Sequence, residues 1–184
     1  GYGTATGIWL YKRLPMCRHY DMVTETNDCG YYFGSDIERE NMTVYIILDF
    51  ENNNGEGFGS RGEYQEIYIK YDAETRSGYG IRYECIDVEN HIAGIALYKY
   101  DGLLAQPISE KITGSFLKSG MDIKADIYKN VFTVQLLIQE MDEPLELSAK
   151  IDGNLYSGMG IKHQAVSIDN NRIGIRHIEM SFPE

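Results

Sequence analysis

An all-β, antiparallel sandwich of two sheets with almost no helix is the fold this sequence predicts. Three observations carry it. Apolar and polar residues alternate with period two through most of the chain, which points successive side chains to opposite faces of a strand. The alternating segments are short and bounded by Gly, Asn, Asp or Pro. No long stretch carries the i, i+3, i+4, i+7 apolar stripe of an amphipathic helix.

The N-terminal third is the least regular. "GIWLYKRLP" supplies a first strand at Ile8 to Lys12, and "MCRHYDMVTETNDCGYYFGSD" mixes Gly, Cys and Tyr without a period, which predicts a packed loop carrying Tyr31, Tyr32 and Phe33. Clean alternation then predicts strands at Thr43–Phe50, Tyr64–Tyr71, Gly78–Ile86, Ile92–Tyr100, Asp122–Tyr128, Val131–Gln139, Leu145–Ile151, Gly158–His163 and Arg172–Phe182. The turns fit: "ENNNGEGFGSRG" is a glycine-rich connection, "YKN" at Tyr128 to Asn130 closes a hairpin, and "IDGN" and "DNN" supply residues tolerant of positive φ. Residues 1–184 read as one domain, with an irregular N-terminal strand and packed loops over 1–41 and the main sandwich over 42–184. The irregular spacings favour a sandwich over the alternative, a closed barrel.

The 184 residues are enough to enclose a core without staples. Mean hydropathy is -0.35, and no apolar run is long enough to span a bilayer as a helix. Seventeen basic residues against 28 acidic ones leave a net charge of -11 with no basic patch, which argues against nucleic acid as a partner. The three cysteines, Cys17, Cys29 and Cys85, lack the spacing of a zinc site. Cys17 and Cys29 are compatible with one disulfide across a short loop or with separate thiols. The opening Gly-Tyr-Gly-Thr-Ala carries neither the charged nor the apolar region of a secretory signal, as expected of a mature protein or an excised domain.

From Met42 onward, the order of "NMTVYIILDF", "GEYQEIYIKYD", "SGYGIRYE", "GIALYKYDGLLAQPISE", "DIKADIYKNVFTVQLLI" and "NRIGIRHIEMSF" resembles the concanavalin A-like lectin/glucanase jelly roll. The resemblance implies an exported chain that binds or cleaves polysaccharide, often as an accessory module beside a catalytic domain.

Laminarinase-like members of that superfamily carry Glu-x-Asp-x-Glu on one strand, so that period two aims nucleophile, supporting Asp and general acid into one cleft. In "ECIDVENH", Asp87 and Glu89 match the last two positions, but Cys85 stands at the first. Glu84 faces the opposite way in a regular strand, and only a bulge brings it round. The residues instead predict that Tyr79, Ile81, Tyr83 and Cys85 pack inward, that Arg82 and Glu84 point out, and that Asp87 to Asn90 form a polar turn. No catalytic residue is assigned.

Other motifs are weaker. "GEGFGS" (Gly55 to Ser60) lacks the glycine spacing and following helix of a phosphate loop. His19, His91, His163 and His177 are scattered, so a metal site or a Tyr–His lyase pair requires assembly from distant segments. No cofactor and no metal ligands are assigned; Asp169, Asn170 and Asn171 form an oxygen-rich loop compatible with a structural calcium ion or with an ordinary turn.

The composition is marked by 15 tyrosines against one tryptophan. A tyrosine offers an apolar face for a sugar ring and a hydroxyl for its edge. Parity in Tyr64–Tyr71 puts Ile67, Ile69 and Tyr71 on one face and Tyr64, Glu66, Tyr68 and Lys70 on the other; the facing of Ala96, Tyr98 and Tyr100 is ambiguous. If one sheet is concave and solvated, as the resemblance implies, Tyr68, Arg82, Glu84, Tyr98, Tyr100 and His163 line the carbohydrate site. The expected function is a non-catalytic carbohydrate-binding or accessory domain that is secreted, periplasmic or on the cell surface. The alternatives are a glycoside hydrolase or polysaccharide lyase with a loop-built site, and a structural sandwich that orients its neighbours. Expected partners are an oligosaccharide or polysaccharide and a neighbouring catalytic domain; an edge-to-edge dimer is compatible with the strands.

Overall fold

The computed structural model describes residues 6–11, 14–19, 27–33, 38–49, 60–117, 120–139, 141–165 and 172–184, with the backbone alone at 6–33, 49, 163, 165 and 172–176. The described residues form fourteen strands and no helix, in two antiparallel sheets. Among the described residues, no helix is therefore long and apolar enough to cross a membrane.

The first sheet runs β1(Thr6–Tyr11), β2(Leu14–His19), β14(Arg172–Ser181), β4(Met42–Asp49), β10(Met121–Tyr128), β11(Val131–Ile138), β12(Leu145–Lys150). The second runs β3(Asn27–Phe33), β13(Met159–Ala165), β5(Tyr64–Asp72), β6(Ser77–Asp87), β7(Ile92–Asp101), β8(Leu104–Pro107), with β9(Ile112–Gly114) also pairing β7. The first sheet thus joins strands from the two ends of the chain, and the second adds β3 and β13 from those ends to the middle strands β5 to β9.

Alternation makes the core. Val44, Ile46 and Leu48 from β4, Ile123 and Ala125 from β10, and Phe132, Val134 and Leu136 from β11 meet Ile67 and Ile69, Ile81 and Tyr83, Ile95 and Leu97, and Ile161 from the second sheet, all at most 1% exposed. Burying each large side chain contributes about 1.5–3 kcal/mol. Two inward tyrosines satisfy their hydroxyls at the margin of the core: Tyr83 donates to the Phe116 carbonyl at 3.0 Å, and Tyr79 to that of Asp152. At the β10–β11 hairpin, Lys129 and Asn130 have φ of 47° and 63°, the pair of left-handed residues that matches a two-residue turn to strand twist.

The N-terminal third differs from its expectation. The segment expected to be a loop contains β2, which pairs with β1 and β14, and β3, which places Tyr31, Tyr32 and Phe33 on a strand paired with β13. β3 takes its partner, β13, from the far end of the chain, and β2 adds β14 to its hairpin with β1, signals that local periodicity does not carry. Cys17 and Cys29 fall on strands of opposite sheets, and their side chains lie outside the described residues, as does the Gly55 to Gly59 loop.

The inward set Tyr79, Ile81, Tyr83 and Cys85 is as expected, but Tyr71 is not. The register of β5 against β6 shifts between Ile69 and Asp72, and Lys70 there has φ 51°. That bulge inverts parity, so Tyr71 joins the outer face instead of Ile67 and Ile69. The Lys70 ammonium, buried, donates to the Arg39 carbonyl, and burial pushes its pKa down to about 8.

Candidate functional site

The outer face of the second sheet carries a side-chain cluster of its own. On β5, β6 and β7 the register pairs Glu66 with Arg82 and Arg82 with Ala96, so all three project to one side. Tyr68 is paired with Gly80, and Gly80 with Tyr98. A Cβ at Gly80 would lie 2.6 Å from the Ile67 carbonyl oxygen and 2.9 Å from the Tyr100 ring. The missing side chain gives Tyr100 its place.

Glu66, only 3% exposed, is the hub. Its Oε1 accepts the Tyr68 hydroxyl at 3.1 Å. Its Oε2 accepts from Nε of Arg82 at 3.2 Å, with Nη2 in ion-pair contact at 3.2 Å, and from the Tyr100 hydroxyl. The Arg82 guanidinium is clamped between Tyr64 and Tyr98, 4.3 and 4.4 Å from their ring centroids. Burial works against the arginine charge, but Glu66 and the surrounding tyrosines outweigh it and raise its pKa. Burial, then the Glu66 carboxylate, pushes the Tyr100 phenol well above its ordinary value, so this hydroxyl stays a donor.

The rings stack on one another. Tyr68 and Tyr71 are parallel with centroids 4.3 Å apart, and Tyr100 meets Tyr68 edge-on at 4.9 Å. Tyr68, Tyr98 and Tyr100 are 3%, 8% and 6% exposed, so their faces are spent on mutual packing. Around this floor, a depression of about 360 Å³ is bordered by Arg76 from the β5–β6 turn, Lys162 from β13, and Gly102 to Ala105 from the β7–β8 hairpin. Leu103 and Leu104 on its rim are 88% and 71% exposed.

Of the six residues expected from sequence, Tyr68, Arg82 and Tyr100 line this depression. Tyr98 acts behind it by holding Arg82. Glu84 is on the same sheet face but away from the lining, ion-paired with Lys111. The side chain of His163 lies outside the described residues; on the backbone it pairs with Gln65, whereas Lys162 pairs with Glu66. Glu66 and Tyr64 were within reach of the sequence, since they share parity with Tyr68. Tyr71, Arg76 and Lys162 depend on the bulge, a turn and the β13 pairing.

"ECIDVENH" is the end of a strand. Cys85 is buried in the core, and the register shifts between Cys85 and Asp87. Asp87 accepts the Asn90 amide at 3.0 Å and its side-chain amide at 2.7 Å, bonds that hold its carboxyl below the usual range. Its oxygens are therefore engaged in a turn. Among the described residues no group of three or more His, Cys, Asp or Glu side chains could hold a metal, and Asp169 to Asn171 lie outside them.

No protein-family model matches the sequence, and no curated protein matches it. Solved structures do. The VIP36 exoplasmic/lumenal domain in its Ca2+/Man3GlcNAc-bound form superposes with a TM-score of 0.68 at 8% identity, over 97% of this chain and 82% of that one. The CBM2 module of the Lactobacillus casei BL23 phage J-1 evolved Dit gives 0.62 at 10% identity, over 89% and 75%. The fold is the concanavalin A-like jelly roll. The Klebsiella pneumoniae alginate lyase shares this jelly roll as well, with a TM-score of 0.61 at 8% identity over 100% of this chain and 86% of that one. Identities this low establish the architecture alone.

Proposed function

We propose that this jelly roll binds a carbohydrate, without cleaving it, through the depression on the outer face of its second sheet. The carrying observation is the preformed site: a depression of about 360 Å³ whose floor is fixed by the Glu66–Arg82–tyrosine network before any ligand arrives. Binding groups already held in place lose little entropy on association. The CBM2 module and the Man3GlcNAc-bound VIP36 exoplasmic/lumenal domain among the fold's relatives support this reading and an extracellular or lumenal setting, and an accessory role in an exported protein is part of the same proposal.

The Tyr100 hydroxyl bears on catalysis. A tyrosine serving as general base needs its phenol pKa brought towards the working pH, whereas here burial and Glu66 drive it the other way. The alginate lyase among the fold's relatives supports the rival reading of glycan cleavage, which differs in predicting products.

Incubation with a panel of neutral and charged polysaccharides, following retention and new reducing or unsaturated ends together, separates the two. Retention without products is expected. Tyr64→Ala, which removes one wall of the Arg82 clamp, should weaken retention by about tenfold. Product formation would contradict the binding-only reading, and retention of every glycan unchanged in the variant would place the site elsewhere.

A further inference from the structure

The groups that face solvent in this depression are not the ones a neutral sugar platform would show. The rings of Tyr68 and Tyr100 are packed against other side chains, whereas Arg82 keeps 20% of its side-chain surface exposed. Arg76 is exposed on the β5–β6 turn, held there by its own left-handed backbone at φ 55°, and Lys162 is partly exposed on β13. The charged residues lining the depression are therefore three cations, Arg76, Arg82 and Lys162, against one anion, Glu66. Glu66 is almost wholly buried beneath Arg82, so the cationic groups are the accessible ones.

This local sign opposes the whole molecule. The chain carries a net charge of -11, yet this patch is formally net positive. A positive depression on an acidic protein focuses the field at one spot and turns polyanions away from the rest of the surface. The planar guanidinium of Arg82 is fixed by its two ring contacts and by its hydrogen bond and ion pair to Glu66, which preorganises it for an anionic group.

The geometry points to an anionic glycan, one bearing carboxylate or sulfate groups, as the ligand class of this depression. The inference rests on the carbohydrate-binding reading above and narrows it. The anion sits over Arg82 between Arg76 and Lys162, and the sugar ring leans on the rim at Leu103 and Leu104.

The test compares oligogalacturonate, its carboxyl-reduced neutral counterpart, dextran sulfate, dextran and polyglutamate for affinity to the full chain. Oligogalacturonate or dextran sulfate should bind about tenfold or more tighter than its neutral partner, and that preference should shrink as salt rises from about 50 to 500 mM. Which of the two is preferred identifies the carboxylate or the sulfate as the recognised group. In the Arg76→Gln, Lys162→Gln double variant, the preference should collapse while circular dichroism shows the native strand content retained. Equal binding of charged and neutral partners, or equal binding of polyglutamate, overturns the inference while leaving carbohydrate or polyanion binding intact. Failure of every glycan to bind overturns the broader reading instead.

Discussion

Glu66→Ala is expected to destabilise the protein by about 3 kcal/mol, because it leaves the Arg82 charge without its partner and the Tyr68 and Tyr100 hydroxyls without their acceptor. The cost arises from what remains behind, so removing both charges should be cheaper. A Glu66→Gln, Arg82→Met double variant should lose less than the sum of its single variants, since the amide oxygen still accepts from one of the two tyrosines, its NH2 can donate to the hydroxyl oxygen of the other, and no unpaired cation is left. Urea unfolding of the four proteins checks this, and strict additivity would mean that the network is not one unit. The pH dependence has a definite sign. The folded-state pKa of Tyr100 is raised above its unfolded value, so the stability it contributes is present below pH 10 and is lost as pH rises beyond it.

Gly78→Ala is the second large effect. At φ 147°, a Cβ there would stand 2.3 Å from the Lys70 carbonyl oxygen and 2.7 Å from the Tyr71 Cα, both backbone atoms of the β5 bulge. Neither can step aside without disturbing the strand. The clash and the unfavourable backbone together should cost roughly 4 kcal/mol and dislodge Tyr71 from its stack on Tyr68. Gly102→Ala is the control: its φ is 63° but nothing lies within 4 Å, so only the backbone penalty of about 1–2 kcal/mol applies. Equal losses in urea unfolding would show that the bulge yields easily and does not fix the outer face.

The sandwich was legible wherever one face of a strand is buried and the other is not. The segments from Thr43 to Leu48 and from Met121 to Ile138 alternate in burial almost residue by residue, and their sequences alternate with them. The strand β8 did not announce itself because all four of its residues are exposed and no alternation is imposed on it. Tyr71 was misplaced because parity fails at a bulge, and nothing local in "IYIKYD" marks Lys70 as its pivot. Glu66 illustrates a different limit. Its parity was visible, but its standing as hub depends on Arg82 and Tyr100, which reach it from two other strands. The 15 tyrosines suggested rings open to a sugar, and their packing was not legible: on this face Tyr68 stacks on Tyr71 and meets Tyr100 edge-on.

The central claim is that the outer face of the second sheet is where ligand meets protein. Tyrosine-labelled ring resonances, followed while oligogalacturonate and then neutral dextran are titrated in, test it most directly, because inward and outward tyrosines report from the same spectrum. The account predicts that Tyr64, Tyr68, Tyr71 and Tyr100 shift with saturation while Tyr79 and Tyr83, on the core face of the same sheet, stay fixed. Binding that leaves all four outer tyrosines unmoved would contradict it.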